Sequence, residues 1–109
     1  MADFQLRENE KLIGSGMMAY KHKKSPFSEP TRGTIYVTNQ RVCYYESWSG
    51  YEYMNLPLSE ISGYSVKSML VLFTFVHIHD CNNKSYSFSG FPAKDLQKWL
   101  EQAGVKKLS

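Results

Sequence analysis

The sequence predicts a mainly β domain: about seven antiparallel strands followed by one C-terminal α-helix. Three observations lead there. Residues 33–45 (Gly-Thr-Ile-Tyr-Val-Thr-Asn-Gln-Arg-Val-Cys-Tyr-Tyr) place two β-branched and aromatic runs around a short polar corner at Asn39 and Gln40, the chemistry of a hairpin. Short β-rich runs then recur between turn residues along most of the chain. Only the last stretch switches to helical spacing.

The elements follow in order. Residues 14–20 read as a first strand with a glycine-softened start, and residues 23–32, with two prolines, two serines and a threonine, as a loop. The hairpin strands are expected at 33–38 and 41–47. Trp48, Ser49 and Gly50 form the next turn, and residues 51–56 a fourth strand that Pro57 closes. A fifth strand is expected around 61–66 and a long sixth over 69–79. A polar turn at Asp80, Cys81, Asn82 and Asn83 leads to a seventh over 84–88. After Pro92, residues Leu96, Trp99, Leu100 and Ala103 fall at i, i+3, i+4 and i+7, one stripe of a helix. Pro92 suits a first turn, Asp95 complements the positive end of the dipole, and Gly104 is a natural stop. Burying Leu96, Trp99 and Leu100 should contribute roughly 1.5 to 3 kcal/mol each, so Trp99 is expected in the core rather than as a ligand-stacking aromatic.

One domain of 109 residues can bury enough surface to fold without metal or disulfide staples. Cys43 and Cys81 are too few and too isolated for a disulfide framework and read as reduced thiols. The first twenty residues carry Asp3, Glu8 and Glu10 and lack a long apolar run, so no secretory signal is expected. The longest apolar stretch, 69–76, is far short of the ~20 residues a spanning helix needs. A cytoplasmic domain follows, with peripheral membrane attachment open to it. The net charge of +3 is modest, but its distribution is uneven: residues 21–41 hold five basic side chains (Lys21, Lys23, Lys24, Arg32, Arg41) against one acid, Glu29. The charge gathers around one loop.

The order Gly33, Ile35, Tyr36, Val37, Thr38, Asn39, Arg41 and Val42 resembles the signature hairpin of GRAM domains, a branch of the pleckstrin-homology-like superfold. The opening Glu10-Lys11-Leu12-Ile13 and the phrase Leu58-Ser59-Glu60-Ile61 are also similar to that family. The resemblance covers about 8–103 of a single domain spanning 1–109. It implies a barrel closed by a helix, and a binding module for phosphoinositides, peptides or other domains.

The basic loop is the first candidate site. Lys21, Lys23 and Lys24 leave the first strand and Arg32 precedes the second, which resembles the rim where lipid-binding relatives hold a headgroup; the other reading is a solvated loop. Cations near anionic lipid contribute ~1 kcal/mol apiece, so four give about 4 kcal/mol, only a millimolar affinity. A second signal is required, and Phe27, beside Pro26, is the candidate for insertion unless it folds back on the barrel.

In the sixth strand, alternation puts Leu70, Leu72, Thr74, Val76 and Ile78 on one face and Val71, Phe73, Phe75, His77 and His79 on the other. The mixed face is expected outside. Phe73 and Phe75 then form a surface for a protein partner or a homodimer, or are covered by the chain's own N-terminal residues. His77 and His79, with Cys81 two residues on, could share a metal, but zinc takes three or four ligands, Cys81 is expected in the turn rather than on the ladder, and His22 and Cys43 could join only through the fold, so no metal and no cofactor are expected.

Catalysis has little support. Gly14-Ser15-Gly16 lacks the third glycine of a dinucleotide loop, no carboxylates are paired, and neither cysteine has a neighbouring histidine motif. Basic and aromatic residues do not interleave as nucleic-acid binding requires. The expectation is a non-catalytic module docking on an anionic membrane surface or phosphoinositide, with protein interaction as the alternative.

Overall fold

A computed structural model describes residues 4–21, 31–69 and 73–108. Seven strands run β1 (Leu12–Lys21), β2 (Thr31–Thr38), β3 (Arg41–Glu46), β4 (Glu52–Pro57), β5 (Ile61–Met69), β6 (Phe73–Asp80) and β7 (Ser85–Ser89), followed by α1 (Ala93–Gln102). They form one antiparallel sheet in the order β4-β3-β2-β1-β7-β6-β5. Buried residues of both edge strands, Met54 and Leu56 of β4 and Tyr64 of β5, share one core with those of every strand between, so the sheet curls on itself. The helix fills the inside: Leu96 and Leu100 are fully buried.

Strict alternation builds this core. Ile35 and Val37, Val42 and Tyr44, Val76 and Ile78, and Tyr86 and Phe88 point inward while their neighbours point to the other face, on which Thr38, Arg41 and Cys43 are also buried. The sequence expectation of one strand over 69–79 needs correction. Met69 ends β5, paired with Phe73 at the start of β6, because β5 and β6 form a hairpin. Residues 70–72, with Leu70, Val71 and Leu72, lie outside the described residues.

Trp99 also departs from expectation. It is half-buried and packed against the core at its margin, beside β1, where a side chain at Gly14 would meet its ring. The glycine is there for the close approach. The chain end covers the β5 edge: Tyr64 donates its N–H to the Lys106 carbonyl (2.8 Å) and accepts one from Leu108 (2.7 Å). Gly63 makes that possible, since a Cβ there would sit 2.6 Å from Leu108 and 2.7 Å from the Lys106 oxygen.

Candidate functional site at the open end of the sheet

The hairpin that dominates the sequence is held by a buried ion pair. Glu10 meets Arg41 Nε at 2.8 Å with side-chain exposures of 0% and 5%. Arg41 Nη2 donates to Glu10 (3.1 Å) and to the Gln5 carbonyl (2.9 Å), and the Thr38 hydroxyl donates to Glu10 at 2.6 Å. The same Thr38 oxygen accepts the N–H groups of Gln40 (3.1 Å) and Arg41 (3.0 Å), so the corner turns without a left-handed residue at Asn39 or Gln40. Asn39 Oδ1 accepts the Lys11 N–H at 2.8 Å, and Gln40 donates to the Glu8 carbonyl at 3.2 Å. Hydrogen bonding to Arg41, above all, holds the Glu10 carboxyl down at about 2, with burial opposing it.

Residues 4–10 thereby strap the outer face of β2 and β3. Phe4 stacks on Tyr36 (4.1 Å between centroids, 3° between planes) and lies 5.0 Å from the Arg41 guanidinium. Cys43, on the strand position next but one to Arg41, is fully buried, and that burial pushes its thiol up to about 11. Such a thiol is no nucleophile at neutral pH. Arg41 is therefore not one of the cations around the loop. Among the described N-terminal residues, Phe4 packs on Tyr36 and Tyr45.

The loop cations present a different geometry. Tyr20 pairs with Thr31 and Ala19 with Arg32 across β1 and β2. Met18, Tyr20 and Gly33 face the core, so Lys21 and Arg32 face outward on adjacent strands, both exposed. Lys23, Lys24 and Phe27, with His22, lie outside the described residues. Inside this end, aromatic rings fill the barrel: Tyr20 packs on Phe88 (5.1 Å) and Tyr44 (5.4 Å). The Tyr44 hydroxyl sits 2.8 Å from the Met18 carbonyl and 3.0 Å from that of Thr31, fixing where β2 begins; burial pushes its pKa up.

Beside Arg32 stands the β3–β4 hairpin, joined through the Ser47 N–H to the Arg32 carbonyl at 3.1 Å. Its tip carries Trp48, 88% exposed, and Tyr51, 61% exposed. Sequence reasoning took Trp48 only as a turn residue and considered Phe27 alone for insertion. The missed signal was an aromatic in a polar two-strand turn, where nothing remains to bury it. Two carboxylates share this end: Glu46 accepts from the Ser49 hydroxyl (2.6 Å) and Glu52 from that of Tyr45 (2.6 Å).

Among the described residues, the outward face of β6 carries Phe75, His77 and His79. Phe75 is half-buried and stacks on His77 at 6.4 Å; the side chain of Phe73 lies outside what is described. His77 Nδ1 is 2.7 Å from the Ser87 hydroxyl, and His79 meets Ser85 (2.7 Å) and Ser65 (2.8 Å) through its two nitrogens. Serines, not further ligands, surround the pair, and among the described residues no three His, Cys, Asp or Glu side chains gather as a metal site. No described helix is long and apolar enough to cross a membrane.

Comparison with known proteins agrees with this geometry. No curated protein sequence matches the chain. Among solved structures, the C-terminal domain of an unknown protein from Leishmania infantum superposes with a TM-score of 0.69 at 15% identity, covering 88% of this chain and 86% of that one. The Vps36 N-terminal PH domain gives 0.68 at 19% identity (92% and 81% covered). The hSac2 domain from human phosphoinositide phosphatase Sac2 gives 0.58 at 14% (94% and 78%). These similarities establish a pleckstrin-homology-like fold. The model of the GRAM domain matches residues 1–106, nearly the whole chain, and the chain belongs to that family, whose members are typically non-catalytic modules that bind lipids or proteins.

Proposed function

We propose that this GRAM domain docks on anionic phospholipid through the end of the sheet that carries Lys21 and Arg32, together with Lys23 and Lys24 from the sequence between them, with exposed aromatics as the second anchor. The observation that carries the reading is Trp48, 88% exposed on a hairpin hydrogen-bonded to Arg32. Indole rings favour the membrane interface, where an apolar body and a polar N–H are both accommodated. Inserting ~100 Å² of Trp48 supplies about 2 kcal/mol. Added to about 4 kcal/mol from four cations, that corresponds to an affinity of tens of micromolar rather than millimolar. Phe27 would add to the same anchor. Because tyrosine rings fill the barrel interior here, contact is made by outward side chains and loop tips. The attachment is peripheral.

Flotation with phosphatidylglycerol vesicles tests this. Wild type should bind and be released by salt, while Lys21→Glu with Arg32→Glu should abolish binding, and Lys23→Glu with Lys24→Glu should weaken it severely. Glu52→Gln, which keeps an acceptor for Tyr45, should strengthen it about fivefold by removing a repelled charge. A double charge reversal that still floats overturns the reading. The alternative, a protein partner or homodimer seated on the outward face around Phe75 and Phe73, predicts a concentration-dependent complex that Phe75→Ser abolishes.

A further inference from the structure

The outward faces of β5, β6, β7 and β1 align into continuous cross-strand rows. Ser65 pairs with His77, His77 with Ser87, and Ser87 with Lys21; Lys67 pairs with Phe75, Phe75 with Ser89, and Ser89 with Ala19 beside Arg32. His77 thus sits in the row of Lys21, and His79, its ring 6.4 Å away, in the next row along the same face, between Gly63 and Ser85. We propose that this serine–histidine face is a proton-gated extension of the anionic phospholipid surface, drawn onto the headgroups as His77 and His79 take up protons; the proposal rests on the membrane reading above.

The hydrogen bonds supply the gate. A neutral imidazole has one donor and one acceptor nitrogen, so of the two serines on His79, one must donate to the ring and the other accept from it. On protonation both nitrogens donate. The serine that had donated becomes an acceptor, and its own O–H is released to point at an anion. Each proton therefore adds a positive charge and can free a hydroxyl donor at the same place. His77, bonded to Ser87 in the row of Lys21, changes in the same way when its Nδ1 is the acceptor.

The surrounding charges favour an anionic occupant. Lys67 faces the row from β5 and Lys21 from β1, while β7 contributes only Ser85, Ser87 and Ser89. On β6 itself the following Asp80 is buried, its Oδ1 accepting the Asn82 and Lys84 N–H groups at 2.9 Å, and Glu60 lies in the 3₁₀ turn before β5. Burial, then the neighbouring His79 and Lys67, holds the His77 pKa below its ordinary value, so the free domain keeps this imidazole neutral at pH 7. A membrane of negative charge reverses that balance, and by linkage its affinity must rise as pH falls.

The test is vesicle binding by the wild-type domain at pH 7.5 and pH 5.0, using phosphatidylglycerol, whose phosphodiester stays ionised throughout. Each proton is expected to raise affinity about fivefold, so up to about 25-fold in total. In a His22→Gln background, which removes the chain's third histidine from beside the docking lysines, His77→Gln with His79→Gln should flatten the dependence. Proton NMR of the wild-type imidazoles needs no variant: both pKa values should rise on adding phosphatidylglycerol bicelles. Binding that is salt-sensitive but independent of pH, a double variant that keeps the dependence, or imidazole pKa values unmoved by lipid would each overturn the gate while leaving the membrane reading intact. Absence of binding at both pH values would overturn the membrane reading itself, and the gate with it.

Discussion

Glu10 keeps its charge inside the protein because Arg41, the Thr38 hydroxyl and the Arg7 N–H all meet it there. A buried pair of this kind gains little over an apolar substitute, but losing one partner strands the other charge. Arg41→Ala should therefore cost ~3 to 5 kcal/mol in urea unfolding. The Glu10 carboxyl titrates near 2 when folded against 4.5 ordinarily, so its contribution is fully present above pH 4.5 and disappears as pH falls through 2. At pH 3 about 2 kcal/mol should be lost from this group alone. Glu10→Gln should remove that part of the acid dependence; an unchanged dependence would contradict the assignment. Thr38 and Arg41 were legible in the sequence as a family-like pattern, but their partner was not. Pairing across thirty residues is a product of the fold, and Arg41 therefore looked like another surface cation.

Elements were easier to read than their contacts. Alternation along β6 correctly separated Val76 and Ile78 from Phe75, His77 and His79, because strand geometry gives each residue one of only two directions. The junction between β5 and β6 was hidden, since residues 65–76 offer no glycine, proline or asparagine to mark a turn. Trp99 was expected in the core and packs against it only half-buried, because helical spacing cannot reveal that a glycine on β1 receives its ring. Gly14→Ala should displace that ring and cost about 1 to 3 kcal/mol, while Ser15→Ala, on an exposed position, should change stability by less than about 0.5 kcal/mol. Equal effects in thermal melts would contradict the packing. At the β5 edge, truncation after Gly104 removes buried Val105 and the two backbone bonds to Tyr64. An uncovered edge pairs with other chains, so the truncated domain should self-associate in light scattering as concentration rises. A truncated form that stays monomeric and equally stable would show that the tail is not an edge cover.

At the scale of the whole molecule, the fold separates a sealed end from the end proposed to dock. The N-terminal strap, the Glu10–Arg41 pair and the β2–β3 corner bind one another at the first, and Lys21, Arg32 and Trp48 stand out at the second. Charge clustering pointed in the sequence to the end where Lys21 and Arg32 stand exposed. Exposure of Trp48 did not show there, because nothing in a turn's residue types says whether its aromatic is covered. The most direct measurement is the emission of Trp48 when the domain meets phosphatidylglycerol vesicles containing brominated acyl chains. Trp99, packed over Gly14, should contribute a constant background that the Trp48→Phe variant defines. Docking by this end requires a blue shift and quenching that disappear in Trp48→Phe; vesicle-bound protein whose Trp48 emission is neither shifted nor quenched would contradict it.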